Sequence, residues 1–217
     1  MSKTVTGNAQ TQLTIAPPNF QTAAFTIRGV APYVQHKFSA KALEQIRAKQ
    51  AAGSTANKGK KREAKDFDAC YRQAQHISKG GWCGIPAGSF RNAMVSACRM
   101  CGFQMTKAKL SVFVEADGFD ATEGTPLVRI TKGEPKYFES YVRNETGVVD
   151  LRARPMWDEG WEAVVRVRFD GDQFTVADVA NLLMRVGLQV GIGEGRPDSK
   201  KSTGMGWGLF ALAGEPK

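Results

Sequence analysis

The 217-residue sequence predicts an α+β fold in which helices cover one face of an antiparallel sheet. Three observations predict it. Apolar and polar residues alternate over Ala23–Val30 and again over Trp161–Phe169, the two-residue period of a half-buried strand. Over Phe90–Cys101 and Thr175–Val190 the apolar residues instead recur three and four apart, the period of a helix with one packed face. The elements also interleave along the chain as strand, helical insertion, helix, strands, hairpin, helix and strand. At this length one domain buries enough surface to fold without staples.

Residues 1–18 are polar, end in Pro17-Pro18 and are expected to form a flexible arm, which leaves 19–217 as a single domain. In the first strand Phe25, Ile27 and Gly29 alternate against Ala24, Thr26 and Arg28. Ala31–Phe38 is mixed in polarity and suited to cross a binding surface. A helix capped by Ser39 follows, with Leu43 and Ile46 on one side. Gly53–Arg62 then offers almost nothing to a core, so its Lys58, Lys60, Lys61 and Arg62 are either a solvated loop or a segment that orders on a phosphate backbone. Glu63–Ile77 returns as a helix with Phe67, Cys70, Tyr71 and Ala74 on one stripe. Residues 39–81 are therefore a helical, basic insertion after the first strand.

Ser89 is placed to cap the helix Phe90–Cys101, and Gly102 to end it. If that helix start faces an anion, its open N–H groups and Arg91 can hold one. Lys109–Glu115, Leu127–Thr131 and Tyr137–Arg143 read as strands, with the turn-rich Asp117–Thr125 between the first two. Val149–Arg154 and Trp161–Phe169 read as a hairpin turning at Pro155–Gly160. That hairpin would gather Arg152, Arg154, Arg166 and Arg168 on the side away from the core. Such a cluster repels itself unless an anion or nearby acids neutralise it, so a nucleic-acid surface and a solvated charged sheet both account for it. Thr175 opens the last helix, whose buried stripe is Val176, Val179, Ala180, Leu183, Val186 and Val190, and Trp207–Leu212 closes the sheet.

Between that helix and the closing strand, Gly191, Gly193 and Gly195 alternate, Arg196, Lys200 and Lys201 follow, and Gly204, Gly206 and Gly208 alternate again. Alternating glycines strip side chains from one side of the backbone and permit positive φ, as a close approach to a polyanion requires. A P-loop is excluded because Lys200, not Gly, precedes Lys201-Ser202. A dinucleotide fingerprint is excluded because Arg196 stands where its third Gly belongs and the glycines follow a helix.

Leu182-Leu183-Met184-Arg185-Val186-Gly187, Ile192-Gly193, Lys200-Lys201-Ser202 and Gly204-Met205-Gly206-Trp207-Gly208-Leu209-Phe210 resemble the C-terminal signature of the RAMP superfamily, the RNA-binding proteins of CRISPR effector complexes. Upstream, Ile85-Pro86-Ala87-Gly88-Ser89-Phe90-Arg91-Asn92-Ala93 resembles the start of that family's first helix. The resemblance departs from the family in a longer loop before the last glycines and in Pro197. It implies a ferredoxin-like or RRM-like sheet with helices on one face, and a backbone subunit that wraps a guide RNA. The implied partners are that guide RNA with its complementary target strand, copies of the chain itself and other effector subunits. RNA contacts are then expected at Lys37, Ser89, Arg91, Asn92, Arg152, Arg154, Arg166, Arg168, Gly193, Gly195, Arg196, Lys200 and Lys201, with Lys58, Lys60, Lys61 and Arg62 reaching across.

Two other readings stay open. Some relatives cleave RNA without a metal through an early histidine, which here is His36; alternatively the fold serves an assembly protein or mimic that binds no RNA. Asp66 and Asp68 are better explained as solvated helix residues than as the metal-binding aspartates of cleaving relatives. The net charge of +9 suits a polyanionic partner. The polar Met1–Asn8 lacks an apolar signal core and no run is long enough to span a bilayer, so no membrane association and a cytoplasmic location are expected. Cys98-x-x-Cys101, with Cys83 and His76 upstream, fits an apolar helix face better than a zinc site, and no cofactor or metal is expected.

Overall fold

The computed structural model describes residues 15–37, 44, 65–143, 149–199 and 204–214. The expected arm up to residue 14, the helix capped by Ser39, the basic stretch with Lys58, Lys60, Lys61 and Arg62, and Lys200 and Lys201 lie outside the described residues.

The main sheet is built on β1 (Phe20–Gly29) and β9 (Glu162–Asp170), antiparallel along nine residue pairs from Phe20↔Asp170 to Arg28↔Glu162. Ala23, Phe25 and Ile27 of β1 point to the same side as Ala163, Val165, Val167 and Phe169 of β9, and all are buried. On that side lie α2 (Ala87–Cys101), buried through Phe90, Ala93, Met94, Ala97 and Cys98, and α4 (Val176–Arg185), buried through Val179, Leu182 and Leu183. β10 (Phe210–Leu212) flanks β1, and β4 (Val112–Glu115) flanks β9. The order β10-β1-β9-β4, all antiparallel, with α2 between β1 and β4 and α4 between β9 and β10, is the ferredoxin-like, RRM-like plan.

Two excursions leave this frame. The first, between β1 and α2, contains β2 (Tyr33–Val34), α1 (Phe67–Gln73) and β3 (Gly84–Pro86). The second, between β4 and β9, contains β5 (Gly118–Phe119), β6 (Pro126–Lys132), β7 (Lys136–Arg143) and β8 (Val149–Trp157). β7 and β8 form a long ribbon that β2 joins, giving a second sheet of order β2-β8-β7. Tyr33 fastens the two sheets, its ring 5.4 Å from Trp157 and 5.6 Å from Trp161.

Several expectations are corrected. β8 and β9 are consecutive but do not pair: β1 occupies one edge of β9, while β4 and β6 share the other, so β8 has no edge to join. Arg152 and Arg154 therefore sit in the second sheet, apart from Arg166 and Arg168 in the first. α2 starts three residues before Phe90 with Pro86 at its N-cap, so Ser89 lies inside the first turn and does not cap it. Lys109–Ser111 end a short helix, α3 (Met105–Ser111), and only Val112–Glu115 form the strand. The return helix of the insertion shrinks to α1, capped by Asp66, whose carboxylate accepts from Ala69 N at 2.9 Å. Thr175 and Asp178 form a capping box on α4, and Gly102 ends α2 at φ 69°, both as the residue types require.

Candidate nucleic-acid interface

The loop after α4 is the hub of the molecule. A π-helical turn, Val186–Val190, carries α4 into it. Glu194 N donates to Val34 O of β2 at 2.9 Å, and the Glu194 carboxylate pairs with Arg154 of β8 at 3.0 Å. Asp198 accepts from Ser96 and from Arg99 of α2, the latter at 2.7 Å. The Ser96 hydroxyl and the Arg99 charge hold the Asp198 carboxyl below its ordinary pKa. The loop is thereby tied to the second sheet and to the long helix.

Close approach is indeed what the alternating glycines permit, but to the protein's own chain. A Cβ on Gly193, at φ 76°, would stand 2.5 Å from Val34 O, and one on Gly195 2.5 Å from the Trp207 indole. On the side where a Cβ would stand, both glycines are thus filled by the protein itself.

Beside the loop opens a cleft of about 420 Å³, walled by the first turns of α2, by the segment after β2 and by residues 190–198. His36, His76, Ser89, Asn92 and Arg196 line it. Four of the expected contacts, Ser89, Asn92, Gly193 and Arg196, thus converge from two distant parts of the sequence, and His36 joins them from a third. Arg196 donates to Gly193 O at 2.9 Å, which sets its guanidinium at the rim. The first-turn N–H groups of α2 meet no side-chain cap, and the positive end of this 15-residue helix lies at the cleft wall.

The remaining expected contacts are committed elsewhere. Lys37 Nζ is 2.8 Å from Asp120 Oδ1 with its side chain 9% exposed, so it serves a buried ion pair. Arg154 is 1% exposed, held by Glu194 and Ser140. Arg152 reaches Asp150 at 3.3 Å. Arg91 turns away from the cleft to donate to Val112 O at 3.1 Å, 5.1 Å from the Phe113 ring centre. On the outer face of the main sheet Arg166 pairs with Asp117 at 2.7 Å and Glu115 at 3.7 Å. Arg168 lies 5.1 Å over Phe20 and 5.2 Å over Phe113, a packing role for an exposed guanidinium.

Among the cysteines, Cys98 is buried and Cys101 exposed, both as free thiols on α2, while His76 is bonded to Asp120. Among the described residues no three His, Cys, Asp or Glu side chains are grouped to hold a metal. No helix among them is long and apolar enough to cross a membrane.

Both histidines of the cleft are weakened as bases. Desolvation lowers the His36 pKa, Glu194 opposing it and Arg152 and Arg154 reinforcing it. Desolvation also lowers that of His76, against the raising effect of Asp120 and with Lys37 lowering it further. A depressed histidine favours folding fully above its ordinary value of 6.5 and loses that contribution as pH falls through it toward the folded pKa. The melting temperature is therefore expected to drop between about pH 7 and pH 5. A His76→Gln variant should show a shallower drop; identical slopes would refute the assignment.

No family model matches the sequence, and no curated protein does either. Among solved structures, a chain of the Type III-B Cmr-beta assembly, determined by cryo-EM bound to cognate target RNA, superposes with a TM-score of 0.50 at 8% identity. The match covers 92% of this chain and 60% of that one, so this chain spans less than two thirds of its neighbour's length. What the two share is the fold.

Proposed function

We propose that this chain is an RNA-binding subunit of a CRISPR-type ribonucleoprotein, holding a guide RNA by its sugar-phosphate backbone and standing side by side with copies of itself. One observation carries the reading. The two segments that resemble RAMP motifs, at Ile85–Ala93 and in the loop after α4, lie far apart in sequence yet wall the same cleft, with the uncapped end of α2 and Arg196 beside it. N–H groups at a helix start and a guanidinium at the rim suit a phosphate and carry no base preference. The fold shared with a chain of an assembly determined on target RNA supports the same reading.

Affinity for single-stranded RNA is expected to fall steeply between roughly 50 and 200 mM salt, with little dependence on base sequence. Arg196→Glu should weaken binding about tenfold and lower the salt slope by about 1, while Arg166→Gln, whose charge already faces two acids, should leave it within about twofold. Filter binding across a salt series checks this. Affinity that does not change with salt, or equal losses in the two variants, would remove the cleft from consideration.

A further inference from the structure

The outer face of the main sheet ends in a corner whose composition the cleft does not explain. By register Thr22, Arg168 and Phe113 stand in one row across β1, β9 and β4, and Phe20 lies two residues before Thr22 on the same side. That is the side away from the core, since the adjoining Ala23, Val167 and Val112 are buried. Phe20 is nonetheless 40% exposed, and its ring meets that of Phe113 edge to face at 5.8 Å. Phenyl rings on the wet face of a sheet do not serve the core.

Two guanidiniums are held at these rings. Arg168 lies 5.1 Å from the ring centre of Phe20 and 5.2 Å from that of Phe113. Arg91 reaches Phe113 from α2, on the core side of the sheet; its Nε donates to Val112 O at 3.1 Å and its charge stands 5.1 Å from the ring centre. Elsewhere on this face acids neutralise the cations, Asp117 and Glu115 pairing with Arg166 and Glu162 with Arg28 and Lys132. Among the described residues neither Arg168 nor Arg91 forms an ion pair with a carboxylate. Asp170, opposite Phe20, accepts from Asp172 N at 3.0 Å and so closes its own turn. The surplus positive charge of the face is thus gathered where its aromatic rings are.

We propose that this corner is a stacking platform for single-stranded RNA, Phe20 and Phe113 taking the faces of bases and Arg168 and Arg91 the phosphates beside them. This rests on the reading that the chain binds RNA, and it adds a site outside the cleft. A single strand presents π faces and negative charges in alternation, the two features the corner complements, whereas a duplex keeps its base faces stacked inside. A base on an aromatic ring is held more strongly than an exposed guanidinium is, so an arriving base displaces Arg168 from Phe20 and frees its charge for a phosphate. Every base has such a face, so the platform adds affinity without sequence preference, as the backbone contacts of the cleft do. Ser89 and Asn92 line the cleft while Arg91, between them in sequence, turns to the corner. The start of α2 therefore stands between the two sites, and a strand passing it meets both.

The test compares, by filter binding at one salt concentration, a single-stranded RNA with an abasic ribose-phosphate oligomer of the same length and charge. The full chain should bind the abasic oligomer about fivefold or more weakly. Phe20→Leu, which keeps an apolar side chain but removes the π face, should lose that factor on RNA and nothing on the abasic oligomer. Irradiated 4-thiouridine RNA should crosslink to the unaltered protein at Phe20 or Phe113, a readout that needs no variant. The platform is overturned, and the cleft reading left standing, by equal affinity of the full chain for the two oligomers, by a base preference that Phe20→Leu leaves intact, by an equal loss from Phe20→Leu on both, or by crosslinks confined to the cleft segments. A base preference that Phe20→Leu removes while Arg196→Glu changes nothing supports the platform and removes the cleft. Binding of neither oligomer overturns both.

Discussion

Replacing Lys37 by Met is expected to destabilise the protein by about 3 kcal/mol, the lower end of what breaking a buried ion pair costs. The Asp120 side chain is fully enclosed and that of Lys37 nearly so, so removing the ammonium leaves a buried carboxylate without its counter-charge. The cost stays at the lower end because the Thr122 hydroxyl and the Thr122 and Glu123 N–H groups remain as donors. Asp120→Asn in the Lys37→Met background should recover most of the loss, since the charge in need of a partner has gone. pH supplies a further check with a defined sign. A depressed carboxyl favours folding above its ordinary value of 3.8 and loses that contribution as pH falls below it. The gap between the parent protein and Lys37→Met is therefore widest near neutrality and narrows below about pH 4. Urea denaturation at pH 7 and pH 3 measures it; a cost under about 1 kcal/mol at pH 7 would mean that the pair is not buried in solution.

Gly208→Ala should cost about 2–4 kcal/mol, the φ penalty of an L-residue plus an overpacking term. At φ 71° a Cβ would stand 1.8 Å from the Ile192 carbonyl oxygen. That oxygen is main chain, so no rotamer change relieves the clash. The two backbones are also bonded to each other, Ile192 N donating to Gly208 O at 3.1 Å, and Gly208 N holds Pro32 O at 2.7 Å. Moving Gly208 therefore unfastens the closing segment from the loop and from the lead into β2 at once. Gly204→Ala is the matched comparison: φ is 65°, but an added Cβ meets nothing within 4 Å, so only the backbone penalty of about 1 kcal/mol applies. RNA affinity should fall with stability in Gly208→Ala and hold in Gly204→Ala. Thermal melts and filter binding on the pair would expose the error if the two losses came out equal.

Parts of the candidate site were legible in advance because they depend on short segments. Ser89, Asn92 and Arg196 belong to stretches whose residue order resembles a known family, and His36 follows the first strand closely enough to be noticed. His76 was visible only as a lone histidine near some cysteines. Its partner Asp120 lies 44 residues away and looked like an ordinary turn residue, as its bonds to the N–H groups of Thr122 and Glu123 also make it. Nothing in local spacing distinguishes an aspartate that closes a turn from one that also orients an imidazole across the protein. For the arginines the alternation is local, but whether a guanidinium faces a solvent anion or an acid such as Asp117 depends on a neighbouring segment.

Taken alone, the amino-acid order determined the elements whose cause is local. β9 shows all its inward side chains at alternate positions, α4 starts at a Thr–Asp capping box, and α2 ends where glycine can take a left-handed turn. Only the tertiary structure decided which strands share an edge, that β8 leaves β9 for a ribbon of its own, and that the glycines press against Val34 and Ile192. The physical reason is range. Periodicity and capping act over one or two turns of chain, whereas a strand's edges, a buried charge and a cleft are filled by whichever distant segment arrives there.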